Sequence, residues 1–386
     1  MKVFWKKYRL VICVLLAAIC VAAALSGWGA LTMDPRTETV YIGDPTAVVY
    51  GQDEQKYVIA GGSTSILVLD ANDCYVRSIS GGKQTQGFYY AQTLATDSEG
   101  NLYIHDRLLA DNGKDVATER IAVYDPSGAF LDYLYELPHD QDTDGENRIH
   151  GLLWQADALY FIRVDTDSFT LCRLDPASGE LTEQTTYAYA EAYRYLMYFS
   201  ISSDFQVYFS DKYGSVWQAE AGGSHVCLYD AAAHGTEDFY SIAAQLACGT
   251  DGSIYFNDLG QRELRRILPD GTVETAVGQG EPLTTVPEAF NELPIYSFVA
   301  VTPDGILSTI YCEYYYDEAY GDYVYDYCIY AEDAQGNVLL NTAEVDKAAS
   351  VQAAGWLAGL RGAGRPGSAA AVRRWLRHTR RLAIPG

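Results

Sequence analysis

One phrase returns six times along this chain, and it limits the fold more than any other feature. It opens on small or acidic turn residues, runs through alternating apolar and aromatic residues, and ends on a polar stop. The copies are Asp53 to Ala60, Thr96 to Asp106, Gln155 to Ile162, Ser203 to Asp211, Thr250 to Asp258 and Thr302 to Thr309. With Tyr57, Tyr103, Tyr160, Tyr208, Tyr255 and Ser308 as equivalents, the spacings are 46, 57, 48, 47 and 53 residues. A period of this size is the mark of a repeat architecture.

A second phrase follows each first one: a strand, a tight turn and another strand. Its turns are Asp70-Ala-Asn-Asp, Asp125-Pro-Ser-Gly, Asp175-Pro-Ala-Ser-Gly, Ala221-Gly-Gly-Ser, Pro269-Asp-Gly and Asp333-Ala-Gln-Gly. Pro presets and Gly and Asp tolerate the backbone angles that such turns need. Each unit of about 50 residues therefore carries roughly four short strands, and there are six units. Radial four-stranded blades solve the exposed-edge problem for such a chain. The expected fold class is all-β, a six-bladed β-propeller over residues 39–342. A β-sandwich also suits many short strands, but not a sixfold phrase. Glu237 to Leu246 reads as the inner strand of a blade.

The chain resembles the six-bladed NHL-repeat and YVTN-like propellers of bacterial membrane-anchored proteins. The residues that carry the resemblance are Gly-Asn-Leu-Tyr-Ile-His-Asp106 and Gly-Ser-Ile-Tyr-Phe-Asn-Asp258, each followed by an x-Pro-x-Gly or Pro-Asp-Gly turn. The resemblance implies the fold. It leaves binding, scaffolding and hydrolysis open as activities. Six-bladed lactonases and hydrolases of the wider architecture hold Ca²⁺ on carboxylates in the central channel.

Charge is distributed by region. All 51 Asp and Glu lie between Asp34 and Asp346, with 15 Lys and Arg beside them, so that window carries −36. Both ends are basic. Such a domain repels phosphate backbones, which argues against nucleic acid as a partner. Leu10 to Met33 has no formal charge and follows four cations. The expectation is a transmembrane helix or signal anchor at residues 10–31, with 1–9 in the cytoplasm and the propeller outside the cell membrane. A cleaved signal peptide is the competing reading, with Ala22-Ala23-Ala24 at the site. Residues 347–386 form a basic Ala/Gly/Arg-rich tail. It reads as an amphipathic membrane-surface helix or as the remnant of a second membrane segment of a truncated or frame-shifted receptor.

Candidate sites are few. Asp106, Asp211 and Asp258 hold the same place in their repeats. They read as structural acceptors of backbone N–H groups, or else as a carboxylate ring holding a cation. Asp140, Asp142, Asp144 and Glu146 spell an acidic D-x-D-x-D-G loop that reads either as a weak Ca²⁺ site or as solvated surface. No motif requires a cofactor, and Ca²⁺ is the one cation this loop suits. The tyrosines crowd between Tyr311 and Tyr330. Tyr314, Tyr315, Tyr316, Tyr320 and Tyr323 are the candidate partner surface, since Tyr offers a flat apolar face and a polar tip. Strand propensity alone also accounts for them. Cys312 and Cys328 are symmetric about Tyr320-Gly321, so a hairpin turning there would set them opposite each other for a disulfide.

The sequence holds no H-E-x-x-H, G-x-S-x-G or P-loop motif. The leading expectation is a non-catalytic extracytoplasmic binding or sensor propeller anchored to the membrane, with an unidentified extracellular ligand or protein partner. A Ca²⁺-dependent propeller hydrolase or lactonase and a structural envelope scaffold are the alternatives.

Overall fold

The computed structural model describes residues 45–51, 55–71, 75–113, 115–139, 148–188, 196–211, 213–234, 245–258, 263–277, 295–302, 305–317 and 322–341. For residues 196–197, 295–297, 311–317, 322–328 and 340–341 only the backbone is described. The expected membrane segment at 10–31 and the basic tail at 347–386 lie outside the described residues. Among the described residues no helix is long and apolar enough to cross a membrane.

Among the described residues, twenty-four strands form six antiparallel four-stranded sheets, each a meander of consecutive strands. Blade 1 is β1 Ala47–Tyr50, β2 Lys56–Ala60, β3 Ser65–Leu69 and β4 Tyr75–Ser80. Blade 2 is β5 Tyr90–Thr96, β6 Leu102–Leu109, β7 Val116–Tyr124 and β8 Phe130–Pro138. Blade 3 is β9 Ile149–Gln155, β10 Ala158–Val164, β11 Ser168–Leu174 and β12 Leu181–Ala188. Blade 4 is β13 Leu196–Ile201, β14 Val207–Asp211, β15 Val216–Gln218 and β16 Val226–Tyr229. Blade 5 is β17 Leu246–Cys248, β18 Ile254–Asp258, β19 Glu263–Ile267 and β20 Val273–Val277. Blade 6 is β21 Ile295–Val301, β22 Leu307–Asp317, β23 Asp322–Glu332 and β24 Val338–Asn341. This is the expected six-bladed propeller. The six equivalent residues, Tyr57 through Ser308, all lie on second strands. The inner strand of blade 5 starts at Leu246, where the expected strand ended; residues 237–244 lie outside the described ones.

The core sits between blades. Buried apolar residues gather in clusters that span neighbouring blades, such as Phe169 and Tyr187 of blade 3 with Phe199 and Phe209 of blade 4. Middle strands are therefore buried on both faces, as in β2, where all five residues are buried. Outer strands are largely exposed instead, as in β12, whose exposed Thr182, Glu183 and Gln184 protect an open edge.

The acids supply the turns. Asp97, Asp125 and Asp333 each accept the N–H groups two and four residues on. In each of these turns a glycine follows at the third position with φ near +80°: Gly100, Gly128 and Gly336. That backbone conformation strains any residue with a Cβ. Among the described residues, the ring closes between blades 6 and 1 without strand exchange. Phe298, Ile310, Ile329 and Ala331 join Val48, Ile59 and Ile66 in one cluster. The Ser308 hydroxyl donates to the Val48 carbonyl across this seam at 3.3 Å.

Candidate functional site

Two parts of the molecule concentrate the groups that could do work: the middle strands of blade 2 and the long hairpin of blade 6.

Strand alternation sorts the residues of β6 and β7 onto two faces. Leu102, Ile104, Ala122 and Tyr124 pack toward blade 1. Tyr103, Ile121 and Val123 pack toward blade 3. Continuing each parity puts Asp106 and Arg120 on the blade 1 side, and His105 and Glu119 on the blade 3 side. All four are buried.

Asp106 and Arg120 are register partners, and the guanidinium donates to Oδ2 through Nε at 2.9 Å and also through Nη2. The other carboxylate oxygen accepts the N–H groups of Tyr89 and Tyr90 at 2.6 and 2.9 Å. Arg120 further donates to the carbonyls of Gln84 and Gly87 and lies over the Tyr133 ring. The pair thus clasps the connection from blade 1. Burial pushes the Asp106 carboxyl up, while Arg120 and the two N–H groups pull it back.

Glu119 does the same on the other side. Its carboxylate is bonded to Nε2 of His105 and Nε2 of His139, both at 2.9 Å. It accepts the N–H groups of Arg148 and Ile149, both at 2.7 Å, where blade 3 begins. Burial would raise this carboxyl. The two imidazoles and the backbone donors outweigh it and hold the group well below the usual carboxylate range. A carboxylate with four donors is saturated, and its geometry is that of a brace rather than a base.

The three repeat aspartates occupy one repeat position with three different sets of partners. Asp106 faces Arg120 and the connection from blade 1. Asp211 accepts the N–H groups of Tyr213 and Ser215, and its second oxygen accepts from the Trp217 indole. Asp258 accepts the Tyr229 hydroxyl of blade 4 at 2.6 Å and pairs with Arg265 at 3.3 Å. Among the described residues, no group of three His, Cys, Asp or Glu side chains is placed to hold a metal ion. The acidic loop Asp140, Asp142, Asp144 and Glu146 lies outside the described residues. The residues flanking it, His139 and Arg148, both bond to Glu119.

Blade 6 differs from its fellows. Strands β22 and β23 run eleven residues each, whereas β18 and β19 of blade 5 run five. Among the described residues, the inner strand pairs with β22 as far as Cys312, and the outer strand with β23 from Tyr330 on. Residues 313–317 and 322–326 therefore continue as a two-stranded ribbon with no further strand beside it among the described residues. Its register pairs Tyr314 with Tyr325 and Tyr316 with Tyr323 on one face. On the other face it pairs Glu313 with Asp326, Tyr315 with Val324 and Asp317 with Asp322. One face is thus tyrosine throughout, and the other carries four acids. Of the expected tyrosines, Tyr314, Tyr316 and Tyr323 share a face, Tyr315 falls on the opposite one, and Tyr320 lies outside the described residues.

The same register corrects the cysteine expectation. Cys312 pairs with Tyr327, and Cys328 with Tyr311, so the two cysteines are not opposite each other. The hairpin is centred half a residue away from where symmetry about Tyr320 would put it. The cysteine side chains themselves lie outside the described ones.

Sequence reasoning missed the Glu119 brace. One signal was present: an acid in a strand, on the parity of the buried Ile121 and Val123.

Comparison with known proteins adds likeness of architecture. No family description matches the chain, and no curated protein does. Among solved structures, a streptogramin B lyase is 13% identical with TM-score 0.44, over 78% of this chain and 94% of that one. A protein of unknown function from Bacteroides caccae is 10% identical with TM-score 0.48, over 74% and 93%. The WD40 β-propeller domain of Doa1 is 10% identical with TM-score 0.42, over 69% and 75%. None of these likenesses assigns an activity.

Proposed function

We propose that this chain is a non-catalytic, extracytoplasmic binding propeller, held at a membrane through its N-terminal apolar segment, and that it engages a protein partner through the ribbon of blade 6. The observation that carries this reading is the extension of β22 and β23 beyond the described parts of β21 and β24. Among the described residues no further strand flanks the ribbon, and a two-stranded ribbon by itself is marginal in water, which favours a role in contact with a partner. Its tyrosine face offers broad, rigid contact area at low entropic cost, as protein-binding surfaces do. Its acidic face adds steering toward a basic partner. The titratable groups of blade 2 are meanwhile bound to one another and to connecting backbone, which is a structural use. The regional charge supports the topology, with cations ahead of the apolar segment and a −36 window after it.

The test replaces residues 313–326 with Asn-Gly, joining Cys312 to Tyr327 through a tight turn. The trimmed protein is expected to melt as the full chain does and to lose a crosslinked partner that the full chain captures from envelope fractions. Retention of that partner overturns the ribbon reading. Ca²⁺-dependent turnover of a panel of esters and lactones by the full chain overturns the non-catalytic one.

A further inference from the structure

Between the outer strand of blade 1 and the third-to-fourth turn of blade 2 lies an open cleft of about 620 Å³. That size falls within the roughly 300–1,000 Å³ range of small-molecule sites. Ile79, Phe130 and Leu131 supply its apolar part, and Leu131 is 55% exposed there. Lys83, Gln86 and Tyr124 supply polar groups. In a chain with 51 acids, none of the lining residues is Asp or Glu.

Two side-chain donors at this cleft, the Tyr124 hydroxyl and the Lys83 ammonium, have no acceptor among the described residues. The Tyr124 hydroxyl accepts the Phe88 N–H at 2.8 Å, and its own proton has no acceptor among the described residues. Tyr124 is only 2% exposed, and an unmatched donor at such burial is costly. Its burial also pushes the phenol up to about 12. The exposed Lys83 ammonium has no ion pair or hydrogen bond among the described residues, while the Lys83 N–H donates to the Phe88 carbonyl at 3.1 Å. Behind Gly128, which lines the cleft, the buried Nε of Arg77 is unmatched as well. Nε lies 3.2 Å from where a Cβ on Gly128 would stand. At the lip, Gln86 holds φ at +58°, a strained conformation of the kind found at binding sites.

We propose that this cleft binds a small organic carboxylate bearing an apolar or aromatic group. The carboxylate oxygens meet the Lys83 ammonium and the Tyr124 hydroxyl. The apolar arm lies on Ile79, Phe130 and Leu131. A single ammonium and a single hydroxyl suit a monoanion; a phosphate dianion would call for a fuller set of donors or a helix N-terminus. The site is separate from the ribbon of blade 6 and does not rest on the reading given to it.

The test is ligand-observed NMR titration of the full chain with phenylacetate, hexanoate and indole-3-acetate, with phenylacetamide as the neutral control. Saturable binding of at least one acid is expected, with the amide at least fivefold weaker. Lys83→Gln, an exposed change that leaves the fold intact, is expected to weaken the acid at least fivefold. Tyr124→Phe is expected to do likewise where it folds. Leu131→Asp is expected to abolish binding by placing an anion in the cleft. No saturable binding by any of the three acids overturns the proposal. So does equal binding of acid and amide, or an affinity indifferent to Lys83→Gln.

Discussion

The carboxylate of Glu119, in blade 2, accepts the backbone N–H of Ile149, the first residue of blade 3, at 2.7 Å. A side chain in one blade thus fixes the backbone of the next, and two histidines fix that side chain. Removing it takes a shared acceptor from two N–H groups and two imidazoles. Glu119→Ala is expected to cost about 3–5 kcal/mol, the usual range for breaking a buried ionic contact. Glu119→Gln keeps the volume and is expected to cost about 1–3 kcal/mol. Urea denaturation measures both, and an alanine variant as stable as the parent would contradict the brace.

The same carboxylate sets an acid limit. Its pKa in the fold lies below its ordinary value of 4.5. A group depressed in this way stabilises the fold above the unfolded value and loses that contribution as pH falls below it. The turn aspartates Asp125, Asp175, Asp270 and Asp333 shift in the same direction through backbone and side-chain donors. Asp106 shifts upward, so its protonation opposes this trend in part. Stability is expected to decline from about pH 4.5 downward. The decline should be shallower in Glu119→Gln, as read by melting temperature across pH 3–7. Parallel profiles for the two proteins would contradict it.

Asp106 and Arg120 form a pair whose members are worth more together than singly. Arg120→Met strands a buried carboxylate and is expected to cost about 3–5 kcal/mol. Adding Asp106→Asn is expected to restore part of that loss, with a coupling of about 0.5–3 kcal/mol in a double-mutant cycle. Strict additivity would mean that the two act separately.

Much of the architecture was legible because it rests on local chemistry. Alternation around Tyr103 and Tyr255 marks a second strand, and Asp125-Pro-Ser-Gly marks the turn between the third and fourth. The braces were not legible, because they join residues through register. His105 meets Glu119 only because β6 and β7 pair as they do, and His139 meets it from the end of β8. The ribbon was half legible: its tyrosines announce a hairpin, but which of them share a face depends on a register that one residue would reverse. Cys312 and Cys328 show how a symmetric spacing misleads when the turn centre moves by half a residue.

Gly81 tests the packing where blade 1 hands over to blade 2. A Cβ built on it would lie 2.2 Å from Cε2 of the buried Phe88 ring. Gly81→Ala is therefore expected to destabilise by about 1–3 kcal/mol through overpacking. In a Phe88→Leu background the same change is expected to cost less, because the contact is gone. Thermal melts of the four proteins decide this.

Ile310 belongs to the apolar layer that joins blade 6 to blade 1. Ile310→Ala is expected to cost about 2–5 kcal/mol, since the cavity opens at a site with no slack. Limited proteolysis should then cut first in blades 1 and 6. Unchanged cleavage order would show that the seam is not the weak joint.

That seam has a mechanical consequence. Among the described residues no strand crosses it, and blades 1 and 6 meet there through apolar contact and the Ser308 bond. A pull between the ends loads this interface directly. Apolar faces part in small increments, whereas a shared strand would have to shear its whole ladder at once. A propeller tethered at one end and tugged at the other is therefore expected to open first at this joint, like a clasp ring.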